Sequence, residues 1–306
     1  MDLKLLSDTP PWEWPKNAAS IFAKLLRDRR ANPSDRLIAA DLAGDFTVIN
    51  DHLAHILLAV LRDGSESEEL RAKVAISFGA ALDAAYTEWD EELGAFDDDE
   101  MVPIGRETFL EIRQSLQTLY ADTSIPKLVR RRILEAAVRA REPWQDNAIR
   151  EAYASGDRDW ILTAVFAMRF VPGFEKETLE SLKSTDTEIQ REAVLAAGEH
   201  ELDAAWGHVS KLAQDRRTEK DLRIAAIGAS GAIRPKEAQE FLFDLADSED
   251  EDIAEAADDA LSMIIEPEDD EEDEDEEDFD EDEDDDEEDD EDDEDDEEDE
   301  EDEELF

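Results

Sequence analysis

From Leu128 onward the apolar positions of this chain return at nearly fixed spacing. Val129, Trp160, Ile189, Leu222 and Ile253 follow one another at steps of 31, 29, 33 and 31 residues, and self-similarity at such a period marks a repeat architecture. Four positions beyond each anchor stand Ile133, Ala164, Ala193, Ala226 and Ala257. Seven beyond it the residue is always alanine, at Ala136, Ala167, Ala196, Ala229 and Ala260. Apolar or small residues at +4, +7 and +8 form one stripe of an α-helix, and alanine on that stripe lets a neighbouring helix come close. Each unit therefore needs its neighbours to bury its face.

Read back toward the N-terminus, the pattern predicts helices over about 17–28 and 37–43, then 47–61 and 68–88. Between Trp89 and Gly105 it stops. Glu91, Glu92, Asp97, Asp98, Asp99 and Glu100, with Gly94 and Pro103, read as an acidic loop, so the step from Leu70 to Val129 is 59 residues rather than one repeat. A third pair resumes with Phe109, Ile112, Leu116 and Leu119 and continues through Val129 to Ala137. Four more pairs follow, roughly 148–170, 175–198, 204–233 and 237–265, with helix-entry residues such as Asp157, Ser184 and Ser248 in their turns. Strand alternation is absent. The fold expected is all-α: an α-solenoid of about seven antiparallel helix pairs over residues 17–265. Pro10, Pro11, Trp12, Trp14 and Pro15 resist regular structure, and residues 1–16 are expected to cap the open end of the array with their tryptophans.

The unit made of a polar turn followed by TEIQREAVLAAG (Thr187 to Gly198) or KDLRIAAIGASG (Lys220 to Gly231) closely resembles the HEAT repeat. Its short period is most similar to the phycobilisome-lyase-like variety. The resemblance covers most of residues 17–265 and weakens in the first pair, where Asp41 falls at a position expected to be small and apolar. The family's frequent glycine stands at Gly79, Gly198 and Gly231 and is replaced by Val138, Arg169 and Ser262. The resemblance implies a right-handed superhelix with the second helix of each pair on the concave side. It implies function weakly, since such repeats mostly bind proteins and only some belong to enzymes.

Charge changes the picture at the C-terminus. Residues 266–306 hold 37 of the 90 acids and no Lys or Arg, leaving 53 acids against 31 bases in residues 1–265. A segment of that composition cannot bury enough apolar surface to offset its ordering entropy, so a disordered polyacidic tail is expected. With no cysteine, disulfides and thiolate metal sites are excluded. No run approaches the roughly 20 apolar residues of a membrane span, and the first residues do not read as a secretory signal, so a cytoplasmic protein is expected.

Candidate chemistry is sparse. Asp51, His52 and His55 share a helical face without an evident further metal ligand, and His208 has no companion. His200 and Glu201 form a single His-Glu pair, whereas the HEAT-like deoxyhypusine hydroxylases are marked by several such pairs holding two irons. The lyases that share this repeat type attach a bilin to another protein, and nothing in the sequence identifies a chromophore pocket. No cofactor is expected. Lys127, Arg130, Arg131, Arg132, Arg139 and Arg141 crowd one second helix and its exit, a candidate strip for docking a partner or the acidic tail. Arg71, Arg191 and Arg223 recur at the starts of other second helices, where HEAT proteins often carry an Asp/Arg ladder between repeats.

These readings converge on a non-catalytic scaffold or adaptor whose solenoid recognises a protein partner and whose acidic tail attracts or shields a basic region, binding neither nucleic acid directly nor membrane, because the net field repels phosphates. The alternative is a lyase-like or metal-dependent protein-modifying enzyme.

Overall fold

The computed structural model describes residues 3–89 and 102–264, with the side chains of Glu88 and Trp89 left aside. Most of the expected acidic loop and the whole polyacidic tail lie outside the described residues. Among the described residues every regular element is helical, and the α-solenoid expectation holds. A short helix α1 (Leu3–Ser7) and a 3-10 turn (Pro11–Glu13) precede seven pairs. The first helices of the pairs are α2 (Ala18–Arg27), α4 (Asp51–Arg62), α7 (Arg106–Ala121), α9 (Trp144–Ala154), α11 (Glu175–Ser181), α13 (Trp206–Gln214) and α15 (Pro235–Ala246). The second helices are α3 (Pro33–Leu42), α5 (Glu68–Ile76) continued by α6 (Gly79–Trp89), α8 (Lys127–Ala137), α10 (Arg158–Met168), α12 (Thr187–Glu199), α14 (Lys220–Ile233) and α16 (Glu251–Ile264).

The alanine stripe does what its spacing predicts. Ile133, Ala164, Ala193, Ala226 and Ala257 are all fully buried, as are Ala136, Ala167 and Ala196 seven positions after their anchors. Second helices pack side by side from α3 through α16, while first helices pack closely only at α2/α4 and α4/α7. A stack whose one row is tighter than the other curves toward the tight row, which places the second helices on the inner side. Close approach depends on missing side chains. A Cβ at Gly198 of α12 would stand 2.9 Å from both Cα and Cβ of Ala229 on α14.

Boundaries depart from expectation where a local cap decides them. Asn32 accepts from the Ser34 amide and Pro33 takes the first helical position, so α3 begins four residues before the predicted Leu37. Asn50 caps α4 through the Leu53 amide, which moves its start past Thr47. The predicted single helix over 68–88 is broken at Ser77 and Phe78. Ser77 Oγ donates to the carbonyls of Lys73 (2.8 Å) and Ala40 (2.7 Å), and Gly44 sits so close that a Cβ there would be 2.4 Å from the Ser77 carbonyl oxygen. Back-bonding by serine to the preceding turn bends a helix, and contact with the end of α3 completes the break. At the N-terminus the two tryptophans part company: Trp14 packs edge-on against Phe22 at 5.7 Å and donates to the carbonyls of Leu6 and Thr9, while Trp12 is 79% exposed.

Candidate functional site

The basic strip is drawn into the array's own bonding. Lys127 Nζ reaches forward to the next pair, to Asp157 Oδ1 at 2.7 Å and Asp159 Oδ2 at 2.9 Å. Arg130 Nε donates to the Tyr120 carbonyl at 2.8 Å while its guanidinium lies over the rings of Tyr120 and Trp160 at 5.0 and 5.5 Å. That neighbourhood buries Tyr120 enough to push its hydroxyl pKa up to about 12. Arg131 is buried and donates from Nε to Thr163 Oγ1 at 2.9 Å. Arg132 pairs with Glu135, and Arg141 with Asp146 at 2.6 Å. Arg139 lies over Phe170 at 4.1 Å, 3.8 Å from Asp83, and its burial holds its pKa below the ordinary arginine value.

Two recurring devices account for most of the cations near helix starts. In the first, the polar residue that follows four of the anchors reaches back to the last carbonyls of its own pair's first helix. Arg71 bonds the Leu61 carbonyl, Arg130 that of Tyr120 and Arg223 that of Ala213, with Gln190 doing the same for Leu182. These are the carbonyls a helix end leaves without partners. In the second, a cation opening one second helix grips the acids at the cap and second position of the next. Lys127 takes Asp157 and Asp159, Arg158 takes Asp186 and Glu188, and Lys220 takes Asp250 and Asp252. The hydrogen bonds from Lys127, Arg158 and Lys220 hold Asp157, Asp186 and Asp250 below the usual carboxylate range. The inter-repeat ladder expected of Arg71, Arg191 and Arg223 is thus carried by other residues. Arg191 bonds its neighbour Glu192 at 2.9 Å.

The histidines are equally engaged. His55 Nδ1 donates to the Asp51 carbonyl and Nε2 lies 3.2 Å from Glu111, while His52 faces Arg27. His200 Nε2 donates to the Met168 carbonyl at 2.8 Å, joining α12 to the end of α10, and Glu201 beside it adopts a left-handed φ of 48°. His208 meets Gln190 Nε2 at 3.2 Å, and burial lowers its pKa. Among the described residues no three His, Asp or Glu side chains gather to hold a metal.

What the sequence did not single out is a groove across the second helices. One cavity of about 460 Å³ lies between the N-terminal segment and α3, α5 and α6, against Trp14, Asp41, Leu42 and Asp45. It meets another of about 480 Å³ at Ile76 and Ala80, which continues past Phe46, Asp83 and Ala84 to Glu135 and Arg139. Phe46 is 48% exposed within it. Asp41, Asp45, Asp83 and Glu135 outnumber Arg139, and Lys73 is committed to Asp41 at 2.9 Å. Glu135 is buried, accepting from Thr163 Oγ1 at 2.6 Å and from Arg132. These residues come from three helix pairs and form no sequence motif.

No family model and no curated protein matches the chain. Among solved structures it is similar to human deoxyhypusine hydroxylase in complex with glycerol, at 17% identity over 82% of this chain and 85% of that one, with a TM-score of 0.38. It is also similar to YibA of Escherichia coli, at 16% identity over 85% of this chain and 90% of that one, with a TM-score of 0.42. Both likenesses are of fold alone. The first nevertheless corrects the functional expectation. The expectation of a non-catalytic scaffold or adaptor with no enzyme activity is corrected to this extent: one protein of similar helical fold is a hydroxylase, so the fold does not exclude an enzyme. Among the described residues no helix is long and apolar enough to cross a membrane.

Proposed function

We propose that the chain takes hold of a basic, extended segment of another protein along the groove over α3, α5, α6 and α8. The joined cavities carry this reading. They present an exposed aromatic ring and a floor of Ile76, Ala80 and Ala84 beside Asp41, Asp45, Asp83 and Glu135. Among the described residues Asp45 has no ion pair and Asp41 is shared with Lys73, a lining that can take aliphatic stems ending in ammonium or guanidinium groups. The body's excess of acids adds attraction of the same sign at a distance. A labelled basic peptide titrated into the full chain tests it. Ala80 is exposed, so Ala80→Arg fills the groove without touching the core, and it should weaken binding about tenfold or more. Unchanged affinity in that variant would assign the binding to the acidic tail and overturn the groove.

On this reading the held segment is a substrate. The short period is similar to that of the phycobilisome-lyase-like repeats, whose enzymes act on other proteins, and Glu135 is a buried carboxylate set in the wall of the groove. Mass spectrometry of a bound partner should then show a covalent change that Glu135→Gln abolishes while binding persists. A partner of unchanged mass counts against it. The cytoplasm is the compartment proposed for this activity.

A further inference from the structure

A different cluster of positive charge lies between the first helices α2 and α4, away from the groove. Ser20, Lys24 and Arg27 stand at i, i+4 and i+7 on α2, on one helical face. They meet Asn50 and His52 at the start of α4 around an open cavity of about 610 Å³. Arg27 lies 3.4 Å from His52 Nε2, and beyond that contact a second cavity of about 290 Å³ runs on between the two helices.

The charges here differ from most others in the molecule. Among the described residues Lys24 forms no ion pair, and Arg27 has only its weak contact with His52. Arg29, close by, is already held by Asp63 and Glu66. One acid, Asp28, shares the lining, where Lys24 and Arg27 outnumber it; its Oδ1 accepts from the Arg30 amide, and Asp51 Oδ1 at the start of α4 accepts from the Gly105 amide at 2.8 Å. The remaining donors are a guanidinium fork, an ammonium group, a serine hydroxyl and an imidazole. That set suits an oxyanion with several acceptor oxygens, and the positive end of the α4 dipole has the same sign. The chain's large net negative charge does not decide the matter, because at physiological ionic strength exposed charges beyond about 8 Å are largely screened and the lining itself holds two cations to one carboxylate.

We propose that this cavity binds a phosphomonoester dianion, clasped by Lys24, Arg27 and His52. Its volume admits a group larger than phosphate alone, so the test has two arms on the full chain: inorganic phosphate, and a short peptide carrying phosphoserine. Each is followed by calorimetry and by the imidazole resonances of His52. Saturable binding in at least one arm is expected, with His52 shifting and the double variant Lys24→Ala/Arg27→Ala losing about tenfold or more in affinity. The tighter arm identifies the source of the phosphate. Both lysine and arginine are exposed, so the double variant keeps its fold, which circular dichroism checks. No saturation in either arm to tens of millimolar overturns the proposal, as does equal binding by wild type and double variant. The groove variant Ala80→Arg should bind phosphate normally, which keeps this result separate from the groove's.

Discussion

At Gly198 a methyl group has no room. Its Cβ would meet Ala229 at 2.9 Å, within an inter-helix contact made of backbone and another short side chain. Gly198→Ala should therefore destabilise the chain by about 1–3 kcal/mol of overpacking, offset in part by better helix propensity. Gly228 is the control. It lies inside α14, is exposed and has nothing within 4 Å of its Cβ position, so Gly228→Ala should stabilise by roughly 0.5–1 kcal/mol. Urea denaturation of the two variants gives opposite signs if close approach, and not glycine's flexibility, is what position 198 requires. Arg71 is a different kind of single-residue dependence. It is buried and bonds the Leu61 carbonyl at 2.9 Å, so Arg71→Ala leaves that carbonyl without its partner and should cost about 2–3 kcal/mol in the same assay.

Between elements, the ladder of cations and helix-cap acids was legible and went partly unread. Pairs of acids flank the start of each late second helix, at Asp157 and Asp159, Asp186 and Glu188, Glu219 and Asp221, and Asp250 and Asp252. Lys127, Arg158 and Lys220 stand between or before them at the repeat distance, whereas Arg71 and Arg223, singled out for the role, turn back to their own pair's first helix. One rung is missing. Thr187 occupies the cation's position opposite Glu219 and Asp221, and among the described residues neither acid has an ion pair. Thr187→Lys should raise the melting temperature at low salt, with the gain fading in roughly 1 M salt. The existing rungs also carry a pH dependence. Because Asp157, Asp186 and Asp250 have depressed pKa values when folded, their contribution is complete above the ordinary carboxylate range and is lost as pH falls through the depressed values. Removing a rung with Lys220→Ala should lower the melting temperature at neutral pH, and the gap to wild type should close below about pH 4. A gap that persists under acid would assign the loss to packing of the lysine stem. The break between α5 and α6 was only partly legible, because Ser77 and Gly79 stand at it in the sequence but the contact of Ser77 with Ala40 and Gly44 of the first pair completes it.

Across the whole array, the repeat period that made the fold readable conceals an uneven distribution of core. The most deeply buried phenylalanines, Phe22, Phe78 and Phe109, all belong to the pairs before residue 120, although Ile133, Leu134, Ile149, Ile227 and Leu242 are as fully buried further on. The later pairs bury mostly alanine and valine, and it is there that the rungs from Lys127, Arg158 and Lys220 and the glycine contacts at Gly198 and Gly231 lie. The two apolar clusters meet at α8, whose Val129 and Ile133 face the earlier one while Leu134 and Val138 face the later. In a stack held by nearest-neighbour contacts, stability follows the apolar area each pair buries together with the coupling across each junction. Amides of α9 to α16 should therefore exchange with solvent at lower free energy than those of α4 to α8. Leu134→Ala, at a fully buried junction position, should cost about 2–5 kcal/mol. Because it weakens the later cluster's hold on the earlier one, it should widen the difference in protection until denaturation resolves into two steps. Hydrogen exchange measured by mass spectrometry on wild type and variant checks both points, and equal protection of the two halves in each would show that the repeats share their stability evenly despite the thinner later core.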